Sequence, residues 1–144
     1  MAIRIGYACL ALAVPGTQMR SCRLRTLTQD KLRDVTAENL AALEKLIHYN
    51  IKAGIKMFRI SSDLVPFGSS PANDFPWRTA FSETFRRLGA LIADNDIRVS
   101  MHPGQYTVLN SPDQNVVDRA ILDLEYHHDI LTLLGTDAKS KIIL

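Results

Sequence analysis

The run His102-Pro103-Gly104-Gln105-Tyr106 holds the residue types best suited to chemistry in this sequence. It follows directly on a β-prone stretch, and Pro103 and Gly104 would end that strand abruptly, because proline removes a ladder donor and glycine permits unusual backbone angles. A histidine held at such an end can ligate a divalent metal or move a proton. It can equally be a hydrogen-bonded structural histidine. Gln105 and Tyr106 place an amide beside an aromatic ring, a pair that can stack on a nucleic-acid base and bond its edge. Tyr106 could instead pack beneath its own loop, and Tyr7 carries the same two readings. His48, His127 and His128 fall in helical stretches and read as structural. The apolar face that holds His128 predicts burial against a sheet, and adjacent helical residues point apart, so His127 and His128 do not form a paired ligand site.

The elements that must position these residues alternate between strand and helix. Ile3 to Tyr7 is a first β-prone run. A polar, basic loop precedes a helix with Thr36 as N-cap, with Leu40, Leu43, Ile47 and Ile51 on one face and a stop at Gly54. Residues 55–60 read as a buried strand, and the loop from Ser61 to Pro76 is rich in turn formers. A second helix carries Phe81, Phe85, Leu88 and Ile92 on one face and ends near Asp94. Residues 97–101 form the third strand. Ser111 as cap and Pro112 at the first helical position open a third helix, whose apolar stripe is Val117, Ile121, Leu124, His128 and Leu131, closed by Gly135. Residues 141–144 begin a fourth strand.

This order predicts a parallel sheet with right-handed crossovers. Residues 1–144 are therefore read as a single partial domain of α/β class, the first four strands and three helices of a (β/α)8 TIM barrel. Four strands at this spacing project to a barrel of somewhat over ~300 residues. A flavodoxin-like sheet is the alternative. In either fold the functional residues stand beyond the carboxyl ends of the strands, which singles out Tyr7 to Cys9, Ser61 to Asp63 and His102 to Tyr106.

Composition narrows the function classes. The chain has 144 residues, 47% of them hydrophobic and 22% charged, with a net charge of +2. That is an ordinary globular balance, and it excludes disordered and fibrous classes. A charge this small does not announce a nucleic-acid binder, but a local basic face is enough for one. Arg20, Arg23, Arg25, Lys31 and Arg33 form such a cluster, which also reads as a solvated loop. Two cysteines, Cys9 and Cys22, point to a reducing compartment, the cytoplasm, and not to a disulfide scaffold. The apolar run Ala8 to Val14 fits a strand better than a signal peptide, and no stretch is long enough to span a membrane. There is no phosphate-binding glycine loop, dinucleotide fingerprint or nucleophile elbow.

The rim segments resemble the UV damage endonuclease family. The matching stretches are Gly6-Tyr7-Ala8-Cys9, Phe58-Arg59-Ile60-Ser61-Ser62-Asp63-Leu64-Val65-Pro66, Ser100-Met101-His102-Pro103-Gly104-Gln105-Tyr106, Val108-Leu109-Asn110-Ser111-Pro112 and Leu124-Glu125-Tyr126-His127. The block around His102 followed by Val108 to Pro112 is the specific part. The resemblance implies a TIM barrel, similar to endonuclease IV and the xylose isomerases, that nicks DNA on the 5′ side of UV photoproducts and some other lesions. It implies a cluster of divalent metals, usually manganese, with His102 as a ligand. It implies that Gln105 and Tyr106 wedge into damaged double-stranded DNA, with Tyr7 as a second probe from the opposite side.

Two positions depart from the family pattern. Ala11 stands where the family usually has asparagine, and Ser69-Ser70-Pro71 where it often has Ser-His-Pro with a ligand histidine. The family's further metal ligands fall past Leu144. The resemblance thus predicts a fragment that is inactive alone, because one imidazole does not assemble a multi-metal site. Its open sheet edges favour self-association. A sugar isomerase or epimerase of related fold, and a non-catalytic decayed relative, are the alternatives that the bare residues leave open.

Overall fold

The computed structural model describes residues 3–144. Four strands form one sheet in the order β1-β2-β3-β4: Tyr7–Ala8, Met57–Ile60, Arg98–Met101 and Lys141–Ile142. All three pairings are parallel, with Tyr7 opposite Phe58, Phe58 opposite Val99, and Met101 opposite Ile142. The crossovers are helical: α1 (Gln29–Ala53), then α2 (Trp77–Ala80) with α3 (Ser82–Asp94), then α4 (Gln114–Leu133). This is the expected half barrel, with strand neighbours in chain order and a helix between each pair.

The core lies between the sheet and the helices. Phe58, Ile60, Val99 and Met101 are buried on the sheet, and Leu40, Leu43, Leu46, Phe85, Leu88 and Ile130 cover them. Burial alternates along β2, with Met57 and Arg59 half-buried, and is nearly continuous along β3; in parallel strands both faces are covered when the barrel is complete. Ile3 and Ile5 are 89% and 80% exposed, so the first strand is shorter than its β-prone sequence suggests. Among the described residues it has a pairing partner on one side only.

Two helix starts differ from expectation. α1 begins at Gln29, capped by Thr28, whose side chain accepts from the Lys31 amide at 3.1 Å. Thr36 is not the cap: it is fully buried inside the helix. Both threonines have suitable sequence contexts, and the core decides between them. Leu32 and Val35 extend the buried stripe one turn further back, and helical stability in proteins comes mainly from such packing. At the other end Gly54 adopts φ 69°, the left-handed cap that glycine takes without strain. α4 is capped by Asp113, not Ser111; the Asp113 carboxylate accepts from the Asn115 amide at 2.9 Å, and Ser111 Oγ accepts from the Asp113 amide.

The second helix is split. Phe81, at φ −110°, breaks it between α2 and α3 instead of continuing the stripe. The third helix is rotated. Its buried side is Ala120, Tyr126, His127, Ile130 and Leu131, while Ile121 is 43% exposed and His128 is at the surface. The expected burial of His128 is therefore corrected to His127. α4 is apolar around much of its circumference. The sheet selects the face whose polar atoms, on Tyr126 and His127, find partners.

Candidate functional site at the carboxyl ends of the strands

The strand ends converge on one rim, formed by the loops after β2 and β3. α4 holds these loops together. The Tyr126 hydroxyl donates to the Ser62 carbonyl at 2.8 Å and accepts from the Val65 amide at 3.1 Å. Burial pushes that phenol far above its ordinary pKa, so it stays protonated and keeps both bonds. Its ring leaves no room for a side chain at residue 68: a Cβ on Gly68 would sit 2.1 Å from Tyr126 Cε2. Asn39, buried in α1, adds a second tie. Its amide donates to the carbonyls of Arg20, Asp63 and Leu64, and its carbonyl accepts from the Arg20 amide.

His102 stands exposed at the end of β3. Its Nδ1 lies 2.6 Å from the Ile143 carbonyl, which only accepts, so Nδ1 carries the hydrogen and the neutral ring keeps its lone pair on Nε2. A ring oriented in this way by a backbone carbonyl is suited to metal ligation through the other nitrogen. Among the described residues no group of three or more His, Cys, Asp or Glu side chains is placed to hold a metal ion. His102 thus fits as one ligand, and these residues do not supply a complete donor set.

Pro103 is buried, whereas Gly104, Gln105 and Tyr106 project, Tyr106 with 83% of its surface exposed. The reading of Tyr106 as packed beneath its loop is therefore not the one realised. Beside it runs an open groove of about 510 Å³ between the two loops, bordered by Ser69, Tyr106, Thr107, Arg119 and Asp123. Ser70 sits in a turn: its amide donates to Phe67 and its hydroxyl accepts from the Ala72 amide. Ala11, the other departure, is buried.

Tyr7 is not brought to this rim. Its ring packs on Phe58 at 5.0 Å between centroids, and its hydroxyl donates to Asn50 Oδ1 at 2.7 Å. Asn50 lies near the carboxyl end of α1, the end that leads into the start of β2 and hence faces away from the strand carboxyl ends. Burial raises the Tyr7 phenol to about 12. Cys9 follows the same strand at φ 63°, with a thiol pushed up by burial and pulled partly back by Arg59. In the basic cluster, Arg20 pairs with Glu38 and Arg33 with Asp30 and Asp34, while Arg23, Arg25 and Lys31 are exposed.

The family pattern of the UV-endonuclease UvdE matches residues 3–144. The chain belongs to the UV-endonuclease family. It is 42% identical over 142 residues to a UV DNA damage endonuclease of Clostridium perfringens, covering 99% of this chain and 34% of that protein. A UV DNA damage endonuclease of Bacillus cereus is 35% identical over 150 residues, covering 99% of this chain and 47% of its own length. A crystal structure of SacUVDE superimposes with a TM-score of 0.92 at 35% identity, covering 98% of this chain and 48% of that one. The chain therefore spans a third to a half of the length of these relatives. That likeness agrees with a half barrel.

Sequence reasoning missed the residues that support this UV-endonuclease rim. Thr107 and Asp123 drew no attention, Ser62 was singled out only within the strand-end set Ser61 to Asp63, and His127 was read only as structural. Beyond that placement of Ser62, the sequence signal was that Ser62 and His127 fall inside blocks resembling the family. Nothing in their spacing showed that they meet, since they are 65 residues apart.

Proposed function

We propose that this chain forms the damage-sensing part of an endonuclease that incises DNA on the 5′ side of UV photoproducts and other lesions. Gln105 and Tyr106 enter the duplex where stacking is already weakened, because a damaged step costs less to open. Tyr106 supplies the stacking face, and Gln105 the donor and acceptor for exposed base edges. Arg119 on the groove, with Arg23, Arg25 and Lys31, holds phosphates with salt-dependent affinity. His102 is one ligand of a divalent metal, manganese by family resemblance. When bound, such an ion polarises a phosphoryl oxygen and supplies hydroxide near neutral pH. The reading does not assign Tyr7 to lesion contact, because its hydroxyl is committed to Asn50.

The observation that carries this reading is the exposed Gln105-Tyr106 tip directly after a histidine whose Nε2 lone pair is free at the sheet's carboxyl edge. The test compares binding of the chain to a duplex with one defined photoproduct and to the undamaged duplex. Tighter binding of the lesion, lost in a Gln105→Ala/Tyr106→Ala double variant, is the expected result. Equal binding of both duplexes by the unaltered chain rejects it. On UV-irradiated plasmid with manganese the chain alone is expected to bind without nicking. We place the protein in the cytoplasm, in keeping with two free cysteines. No helix of the described residues is long and apolar enough to cross a membrane. The open edges at β1 and β4 favour self-association, which light scattering measures.

A further inference from the structure

His127 is 0% exposed, and the proposed function above makes no use of it. Its ring sits at the centre of a chain of short contacts. Nδ1 lies 2.6 Å from the Asp123 carbonyl and Nε2 2.9 Å from Ser62 Oγ. Ser62 Oγ in turn donates to the His102 carbonyl at 2.5 Å. On the other side, Asp123 Oδ2 accepts from Thr107 Oγ1 at 2.5 Å. The two protein ends of this chain are His102 and Thr107, which flank the segment Pro103 to Tyr106.

The hydrogens in this chain are fixed by chemistry. A carbonyl oxygen only accepts, so Nδ1 must carry a hydrogen and the Ser62 hydroxyl must direct its own to His102. That leaves Ser62 Oγ as acceptor toward the ring, so Nε2 must carry a hydrogen too. The Asp123 carboxylate lies 3.8 Å from Nδ1. Buried polar atoms are tolerated only when bonded in this way. Plain core filling would not require a ring bonded through both nitrogens to the two residues, Ser62 and Asp123, that hold the two ends of one exposed loop.

We propose that His127 is a positioning residue: through Ser62 and through Asp123–Thr107 it clamps both ends of the 102–107 loop to α4, and so sets where His102 and the Gln105-Tyr106 tip stand. The lesion-sensing consequence rests on the proposed function, but the clamp itself does not.

The test uses Ser62→Ala and Thr107→Val, each of which removes one arm of the clamp, together with His127→Gln, whose amide can still donate to Ser62. His127→Ala is avoided as the main probe because its cavity could unfold the chain. Two measurements are made on the folded chain. In the first, nuclear magnetic resonance follows the ring nitrogens of His127 and the backbone order of residues 104–106. The expected result is a hydrogen on both ring nitrogens, and a loop that loses order in Ser62→Ala and Thr107→Val but keeps part of it in His127→Gln. A lone pair on Nε2, or unchanged loop order in both single-arm variants, overturns the clamp. In the second, the preference for a lesion duplex over an undamaged one should fall about five- to tenfold per arm, the effect of losing one well-placed hydrogen bond. Preference retained in both variants overturns the positioning role. If the unaltered chain has no lesion preference, the proposed function fails, while the resonance measurement still decides the clamp.

Discussion

Tyr7, which opens β1, and Tyr106, in the loop after β3, are treated in opposite ways by the fold. Tyr7 is held against Phe58 and bonded to Asn50, so it serves the packing of α1 on the sheet. Tyr106 follows a buried proline and an unencumbered glycine, and it projects from the rim with 83% of its surface in solvent. The difference lies in what each residue is attached to. Tyr7 is part of a paired strand, where side chains alternate between the two faces and one of those faces is the helix layer. Tyr106 lies beyond the last ladder bond of β3, in a loop pinned at its two ends and free between them.

Substitutions around the two tyrosines should therefore differ in kind. The largest expected effect is on the β1 side, where Phe58→Ala removes the ring that both supports Tyr7 and fills the core. It should cost about 3–5 kcal/mol, read as a lower urea midpoint. Gly68→Ala comes next. It forces a methyl group against Tyr126 and should cost roughly 1–3 kcal/mol while displacing the loop after β2; a loss well below that range would show that the Tyr126 ring yields. Tyr7→Phe should cost about 1–2 kcal/mol, since Asn50 Nδ2 is already without a partner and its Oδ1 would join it. On the β3 side, Tyr106→Ala should change stability by less than ~0.5 kcal/mol yet weaken lesion-duplex binding roughly tenfold. The comparison fails if Tyr106→Ala destabilises the fold as much as Tyr7→Phe does.

Alkali sharpens the same contrast. Burial raises the Tyr7 phenol to about 12 in the folded chain, whereas an unfolded tyrosine ionises near ~10. The neutral phenol is the form that donates to Asn50, so its contribution to stability is complete below the unfolded value and is lost as pH climbs from there to about 12. Melting temperatures measured across that window should fall less steeply in Tyr7→Phe than in the unaltered chain. Parallel slopes would mean that Tyr7 is not held neutral by its surroundings.

Much of this architecture was open to reading from residues alone. The alternation of β-prone runs with helical stretches, together with Gly54 and the Pro103-Gly104 break, pointed to a parallel α/β sheet and put His102 at a strand end, while the observed strand order β1-β2-β3-β4 separated the half barrel from a flavodoxin-like sheet. Those signals are local: chain stiffness, capping chemistry and side-chain period act over a few residues, and the sequence carries them explicitly. The tertiary structure alone decided which of two eligible threonines caps α1, which side of α4 meets the sheet, and which of two adjacent histidines is buried. It also decided that Tyr7 turns inward while Tyr106 remains outside. Each of these depends on whether a polar atom finds a partner, or an apolar surface finds cover, dozens of residues away, and that free energy exists only once the distant segments have met.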